Sequence, residues 1–222
     1  MSEIVHALNR GVDKRQIYMD DYDRVRFVFG LYIFNDQNSV DVASLKKKGL
    51  AMSFPMIDTR ERLVDLHGWC LMGNHYHVLL SPLIDGGVSL FLKKLNIGYA
   101  KYFNDRHQRS GALYQGRTKQ ILIENDPQFL HILNYIHLNP LDSLKGSDTW
   151  REGKITSAEK SLKYLEQYKW SSYRDYCKKD SHYKDVVSKD LFGSVFRDYE
   201  GEIRSYLKNI RIREMDTIAQ FE

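Results

Sequence analysis

Residues 63–81, Leu-Val-Asp-Leu-His-Gly-Trp-Cys-Leu-Met-Gly-Asn-His-Tyr-His-Val-Leu-Leu-Ser, hold two apolar runs, Leu63–Met72 and His75–Ser81, on either side of Gly73-Asn74. Apolar runs parted by a Gly/Asn pair predict a β-hairpin with a tight turn. Asn stands second in the pair rather than first, which leaves the turn type open. Alternate side chains of a strand share a face, so His75 and His77 project to one side and Tyr76, Val78 and Leu80 to the other. Two neighbouring imidazoles suit two ligands of one divalent metal, with the remaining positions left to another side chain, water or substrate. On spacing alone, ordinary core or surface histidines are the alternative.

Upstream of the hairpin, Ile4–Leu8 reads as a short strand ending at Asn9-Arg10-Gly11. Asp20 or Asp21 can cap a helix that carries Tyr22, Val25, Phe29 and Ile33 at helical spacing and ends near Asn35. Residues 36–60 are interrupted by Lys46-Lys47-Lys48-Gly49 and Pro55, and predict a short helix around Val40–Lys47 followed by a loop. Downstream, Ser89 opens an amphipathic helix to about Asn104, weakened slightly by Gly98. Lys119–Ile123 reads as a strand, and Asp126-Pro127 opens a helix through His137 that Pro140 helps to end.

The order β-α-β-β-α-β predicts an α+β, ferredoxin-like (RRM-like) split βαβ fold: an antiparallel four-stranded sheet with two helices on one face and the other face open to a ligand. After Leu144 the composition turns loop-like (KGSDTWREGKITSAEK, residues 145–160), and helical patterns return at Ala158–Tyr168 and Asp185–Arg213. This places a boundary near residue 146, with a domain over 1–145 and a helical C-terminal extension over 146–222.

The 222 residues are 42% hydrophobic and 13% aromatic, enough for a substantial core and unlike a disordered tail. Cys70 and Cys177 can build neither a disulfide framework nor a four-thiolate zinc site, and suit a reducing compartment. The N-terminal MSEIVHALNRGVDKRQ has no apolar signal core, and no apolar run approaches the roughly 18 residues that span a bilayer. A soluble, cytoplasmic protein is expected.

A net charge of +4 is mild, but it is unevenly spread. Residues 91–120 carry Lys93, Lys94, Lys101, Arg106, Arg109, Arg117 and Lys119 against Asp105, a local net of +6 that leaves −2 for the rest of the chain. Such a segment reads either as a phosphate-binding surface or as a solvated helix face.

Near the end of the predicted 126–137 helix, Tyr135 and Asn139 stand i, i+4 and share one helical face, which would turn a phenol and an amide outward together. With 15 tyrosines in the chain, any single one is a core or surface residue by default. His137, at i+2 from Tyr135, faces away and is given no catalytic role.

Taken in order, GWCLMGNHYHVLL (68–80), GALYQGRTKQ (111–120), NYIHLNP (134–140) and KWSSYRDY (169–176), with the opening LNRGVDKRQIYMDDYD (8–23), resemble the HUH single-tyrosine transposases, especially the REP-associated tyrosine transposases of prokaryotes. The resemblance implies a metal-dependent nuclease and strand transferase acting on single-stranded or hairpin DNA, with 1–145 as its catalytic domain and 146–222 packing on it or aiding DNA binding. His75 and His77 match the paired metal ligands, Tyr135 matches the nucleophile, and Asn139 matches the polar residue that completes the metal site. Gly73 departs from the proline usual before the Asn-His, and 36–60 is longer than the usual connection.

On this reading the Tyr135 oxygen attacks a DNA phosphorus and leaves a covalent 5′-phosphotyrosine and a free 3′-hydroxyl, without ATP. The metal would be Mg²⁺ or Mn²⁺, two imidazoles matching Mn²⁺ better than the oxygen-preferring Mg²⁺. Lys93, Lys94, Lys101, Arg106, Arg109, Arg117 and Lys119 would hold the DNA backbone, and Tyr99, Tyr102 and Tyr114 would either stack bases or pack in the core. The expected protein is a monomer or homodimer with no membrane partner, prokaryotic, and nucleoid-associated when bound to DNA. Two alternatives stand beside it. One is a non-catalytic single-stranded nucleic-acid-binding module of the same fold, although an RNP-type aromatic run is absent; the other is a water-using metal hydrolase, although the His pair has no apparent Asp or Glu companion.

Overall fold

Four strands lie side by side: β1 (Val5–Arg10), β2 (Val64–Leu71), β3 (His75–Pro82) and β4 (Lys119–Leu122). Their order is β2-β3-β1-β4 and every neighbouring pair is antiparallel. The computed structural model describes residues 3–40, 58–177 and 183–209; the helix expected around Val40–Lys47 falls outside them beyond residue 40. The architecture is α+β, with a mixed set of helices on an antiparallel four-stranded sheet.

The central hairpin closes through the Met72 N–H, which donates to the His75 carbonyl at 2.9 Å. Neither Gly73 nor Asn74 has a positive φ, so the turn is not of the primed types that most two-residue hairpins use. It is instead held from outside: Gly11 N–H donates to the Asn74 carbonyl, Ile17 N–H to the Gly73 carbonyl, and Asn74 Nδ2 to the Lys14 carbonyl.

One sheet face is covered by α1 (Asp21–Ile33) and α2 (Gly87–Arg106). Asp20 caps α1 by accepting from the Asp23 N–H at 3.0 Å. Phe27 of α1 joins the layers, its ring 4.9 Å from Tyr76 on β3 and 4.9 Å from Tyr99 on α2. Helix α2 begins two residues before the expected Ser89 and without a side-chain cap, because Gly86 takes a left-handed conformation (φ 68°) that starts the helix through its own backbone. It also runs past Asn104 to Arg106.

Gly98 has a different role from the one helix propensity suggests. A Cβ there would lie 2.2 Å from Cζ of Phe34, a buried ring at the end of α1. Alanine in a helix is favoured over glycine by about 1 kcal/mol, but overpacking a buried contact costs about 1–3 kcal/mol. Gly98→Ala is therefore expected to lower stability in urea unfolding by roughly 1 kcal/mol; a gain in stability would show that Phe34 can step aside.

The opposite face, expected to be open, is largely covered. Helix α3 (Asp126–Leu138) lies across it, and α4 (Ala158–Gln167), α5 (Tyr173–Cys177), α6 (Asp190–Val195) and α7 (Tyr199–Asn209) close over α3. A second core results, drawn from Ile4, Cys70 and Leu79 of the sheet side, from Ile132, Leu133, Tyr135 and Ile136 of α3, and from Trp150, Leu162, Phe192, Ile203 and Leu207 beyond residue 146. The covering is dictated by sequence: α3 is apolar on nearly all sides after His131, so it cannot leave a face in water.

Residues 168–172 also seal the outer edge of β2. Leu71 N–H donates to the Trp170 carbonyl, Ser172 N–H to the Trp69 carbonyl and Tyr168 Oη to the Leu71 carbonyl, so the strand presents no bare ladder there. No helix among the described residues is long and apolar enough to cross a membrane.

Candidate active site

Between β1, β3 and α3 the second core leaves a cavity of about 470 Å³, lined by Leu8, Asn9, Arg10, His75, His77, Gln115, Gly116, Arg117, Lys119, Tyr135, Asn139, Asp142 and Arg151. The strand pleat puts His75 and His77 on this side, their ring centroids 5.0 Å apart. Helix α3 sets Tyr135 against them: its ring lies edge-on to His77 at 5.8 Å and to His6 of β1 at 5.8 Å. Tyr135 and Asn139 do share a helical face, but that face turns inward to the sheet rather than outward, and both residues are buried.

The three imidazoles are held in defined roles. His75 Nδ1 is 2.6 Å from Asn74 Oδ1, and because an amide oxygen only accepts, that nitrogen carries the proton and Nε2 keeps a lone pair. His77 Nδ1 is 2.9 Å from His6 Nε2, while His77 Nε2 is buried with no hydrogen-bond partner among the described residues. Burial pushes the His6 pKa down to about 3, with Lys119 adding to the effect, and pushes His75 down to about 4, with Arg10 and Arg151 adding. His77 is driven well below the ordinary histidine range, first by burial and then by His6 and His75. All three rings are neutral at pH 7, the form in which imidazole binds a metal.

The residues fit a divalent ion at the His75/His77 pair. A buried ring nitrogen with no partner, on a histidine whose other nitrogen is oriented by a second side chain, is the arrangement that metal-binding histidines adopt. The donor set is small: among the described residues no group of three or more His, Cys, Asp or Glu side chains is placed to hold a metal. The Asn139 oxygen, expected to complete the site, accepts a hydrogen bond from Arg151 Nη2 at 2.7 Å, and Asn139 Nδ2 donates to the Tyr135 carbonyl at 2.8 Å.

No sequence pattern marks Arg151. It comes from a single 3₁₀ turn, Trp150–Glu152, inside the loop-like stretch after residue 144. Its guanidinium pairs with Asp142, bonds Asn139, and lies 5.5 Å from the Tyr135 ring centroid and 4.4 Å from that of Trp150. Burial works against its charge, but Asp142 and Tyr135 outweigh burial and push its pKa up. Arg10, at the end of β1, is a second cavity cation without a sequence signal; His6 had a weak one, since it alternates with Val5 and Ala7 and so faces away from the first core.

The basic segment does not form one track. Arg117 and Lys119 line the cavity, whereas Lys93, Lys94, Lys101 and Arg106 belong to α2, across the sheet. Arg106 forks onto Asp20 and Asp23, Lys94 donates to the Asp36 and Asn38 carbonyls, and Arg109 Nη1 bonds Asn104 Oδ1 at 2.7 Å. Of the three tyrosines in that segment, Tyr99 is wholly buried with its hydroxyl donated to the Ile17 carbonyl, Tyr102 bonds Asp23, and Tyr114 packs edge-on to Tyr76. All three belong to the first core or its rim. His137 faces the other side of α3, where Nδ1 pairs with Tyr199 Oη and Nε2 with Ser172 Oγ.

No family model matches the chain, and no curated protein does. Among solved structures, the REP-associated tyrosine transposase bound to a REP hairpin is similar over 67% of this chain and 73% of that one, at 16% identity and a TM-score of 0.39.

Proposed function

We propose that this protein cuts and rejoins single-stranded DNA through a covalent 5′-phosphotyrosine on Tyr135, as a transposase-type strand transferase. The observation that carries this reading is convergence: a phenol, a neutral histidine pair and the cations Arg10, Arg117, Lys119 and Arg151 open on one cavity, with Asp142 as its carboxylate. A phosphodiester is the substrate such a site suits, since it is anionic, needs several positive contacts and offers phosphorus to an oxygen nucleophile. The β-α-β-β-α-β order with strands β2-β3-β1-β4 supports the ferredoxin-like reading of the fold, on which α1 and α2 share one face and the histidines occupy the other.

In the reaction the Tyr135 oxygen bonds to phosphorus as the bond from phosphorus to the 3′-oxygen breaks. The phenolic proton passes to solvent, and the departing 3′-oxygen takes one from it. Phosphodiester energy is kept in the tyrosyl ester, so the reverse attack by a 3′-hydroxyl rejoins strands. Arg10, Arg117 and Lys119 hold and orient the backbone phosphates. Asn139 fixes the end of α3 beneath Tyr135 and holds Arg151 in place. His75 and His77 would hold Mn²⁺ or Mg²⁺, which when bound would polarise a phosphodiester oxygen and ease departure of the 3′-oxygen.

The test is incubation with a random-sequence single-stranded DNA pool and Mn²⁺, followed by a denaturing gel. A protein–DNA adduct that survives denaturant, requires Mn²⁺ and is lost with EDTA or in His75→Ala is expected. DNA binding without an adduct would leave a non-catalytic binding module, and cleavage without an adduct would leave water as the nucleophile.

A further inference from the structure

Arg151 is tied to the centre of the cavity by more contacts than neutralising one carboxylate requires. Asp142 already accepts a hydrogen bond from Trp150 Nε1 at 2.8 Å in addition to its pairing with Arg151. The other arm of the guanidinium goes to Asn139 Oδ1, an oxygen on the same helical face as Tyr135, and its central carbon lies 5.5 Å from the Tyr135 ring centroid. Stacking on Trp150 at 4.4 Å fixes the approach from behind. A planar, five-donor cation held at several points is aimed rather than merely placed.

We propose that Arg151 is a catalytic residue of the transesterification, steadying the negative charge that gathers on the phosphoryl oxygens as the bond from the Tyr135 oxygen to phosphorus forms. The inference rests on Tyr135 being the nucleophile. Arginine keeps its proton at any pH the protein meets, so it is not the base: the phenolic proton goes to water, and Arg151 supplies a fixed positive charge before, during and after the transfer. Asp142 and Asn139 are positioning residues that hold the fork in one orientation. The cost of an unscreened cation in a half-closed cavity is met by Asp142, which leaves the cation beside the phenol while lowering the net charge of the site.

The experiment uses the full chain and one reactive oligonucleotide recovered from the random pool by adduct capture. Single-turnover adduct formation, DNA affinity in EDTA and thermal unfolding are measured for the wild type, Arg151→Gln, Arg151→Ala and Arg151→Lys. Removing one charge-stabilising donor costs about 10²–10³-fold in rate elsewhere, and a loss of that size is expected for Arg151→Gln and Arg151→Ala with DNA affinity changed by only a few fold. Arg151→Lys should recover part of the rate, since it restores charge without the fork. Added guanidinium ion should recover part of the Arg151→Ala rate, which a residue needed only for folding would not allow. Arg151→Gln at the wild-type rate, or a rate loss matched by an equal loss of affinity, overturns the role of Arg151. Absence of adduct from the wild type overturns the Tyr135 reading instead.

Discussion

Tyr135→Phe is expected to abolish the covalent protein–DNA adduct while leaving the protein folded. The substitution removes one oxygen and keeps the ring, and the ring is what the surroundings grip: His6 and His77 edge-on at 5.8 Å each and Trp150 at 5.9 Å. What the hydroxyl adds to stability is of the order of a single hydrogen bond, about 1 kcal/mol. Thermal unfolding should therefore shift by only a few degrees, whereas the reaction loses the atom that forms the bond to phosphorus. No neighbouring tyrosine can take over. Tyr173, Tyr176 and Tyr199 crowd around His137 on the far side of α3, and burial pushes each of their pKa values up, away from the ionised form. Tyr135 is the tyrosine among the residues lining the cavity. An adduct persisting in Tyr135→Phe would move the nucleophile elsewhere, and DNA cleavage persisting without an adduct would assign the attack to water.

The parts of this site that were legible in the sequence are those governed by local periodicity. Period 2 on β3 put His75 and His77 on one face, and period 3.6 on α3 put Tyr135 and Asn139 on one face; both follow from backbone geometry alone. Which way a face turns is a tertiary matter. The i, i+4 spacing puts Tyr135 and Asn139 on one face, expected to turn outward, yet α3 is so apolar elsewhere that the sheet and the later helices close around it. Charge misled in the same way: Arg106 and Lys94 are close in sequence to Arg117 and Lys119, but the sheet separates them and Arg106 is neutralised by Asp20 and Asp23. His6 and Arg151 join the site only through long-range contacts, a strand register 71 residues away in one case and a single 3₁₀ turn in the other. Strand alternation with Val5 and Ala7 marks His6 only weakly, and no local pattern marks Arg151.

Trp150→Ala should have the largest effect on stability, and it tests how the two parts of the chain are joined. Trp150 is fully buried on the 3₁₀ turn, packed against Tyr135, stacked under Arg151 and hydrogen-bonded to Asp142. Truncating a buried tryptophan to alanine costs about 3–5 kcal/mol, a large share of the roughly 5–15 kcal/mol that holds a domain together. The second core runs from Ile4 through α3 to Leu207, so a boundary near residue 146 would cut through shared packing. Chemical unfolding of the wild type is therefore expected as one transition, displaced to lower denaturant in Trp150→Ala without a second transition appearing. Trp150→Phe keeps most of the ring but loses the Nε1 donor to Asp142, and should cost about 1–2 kcal/mol from the lost hydrogen bond and the reduced volume. Because Arg151 rests on the same ring, Trp150→Phe should slow adduct formation more than it weakens DNA binding. Two separate unfolding transitions, with Trp150→Ala moving only one of them, would instead make residues 146–209 an independent unit whose contact with Tyr135 is incidental to the fold.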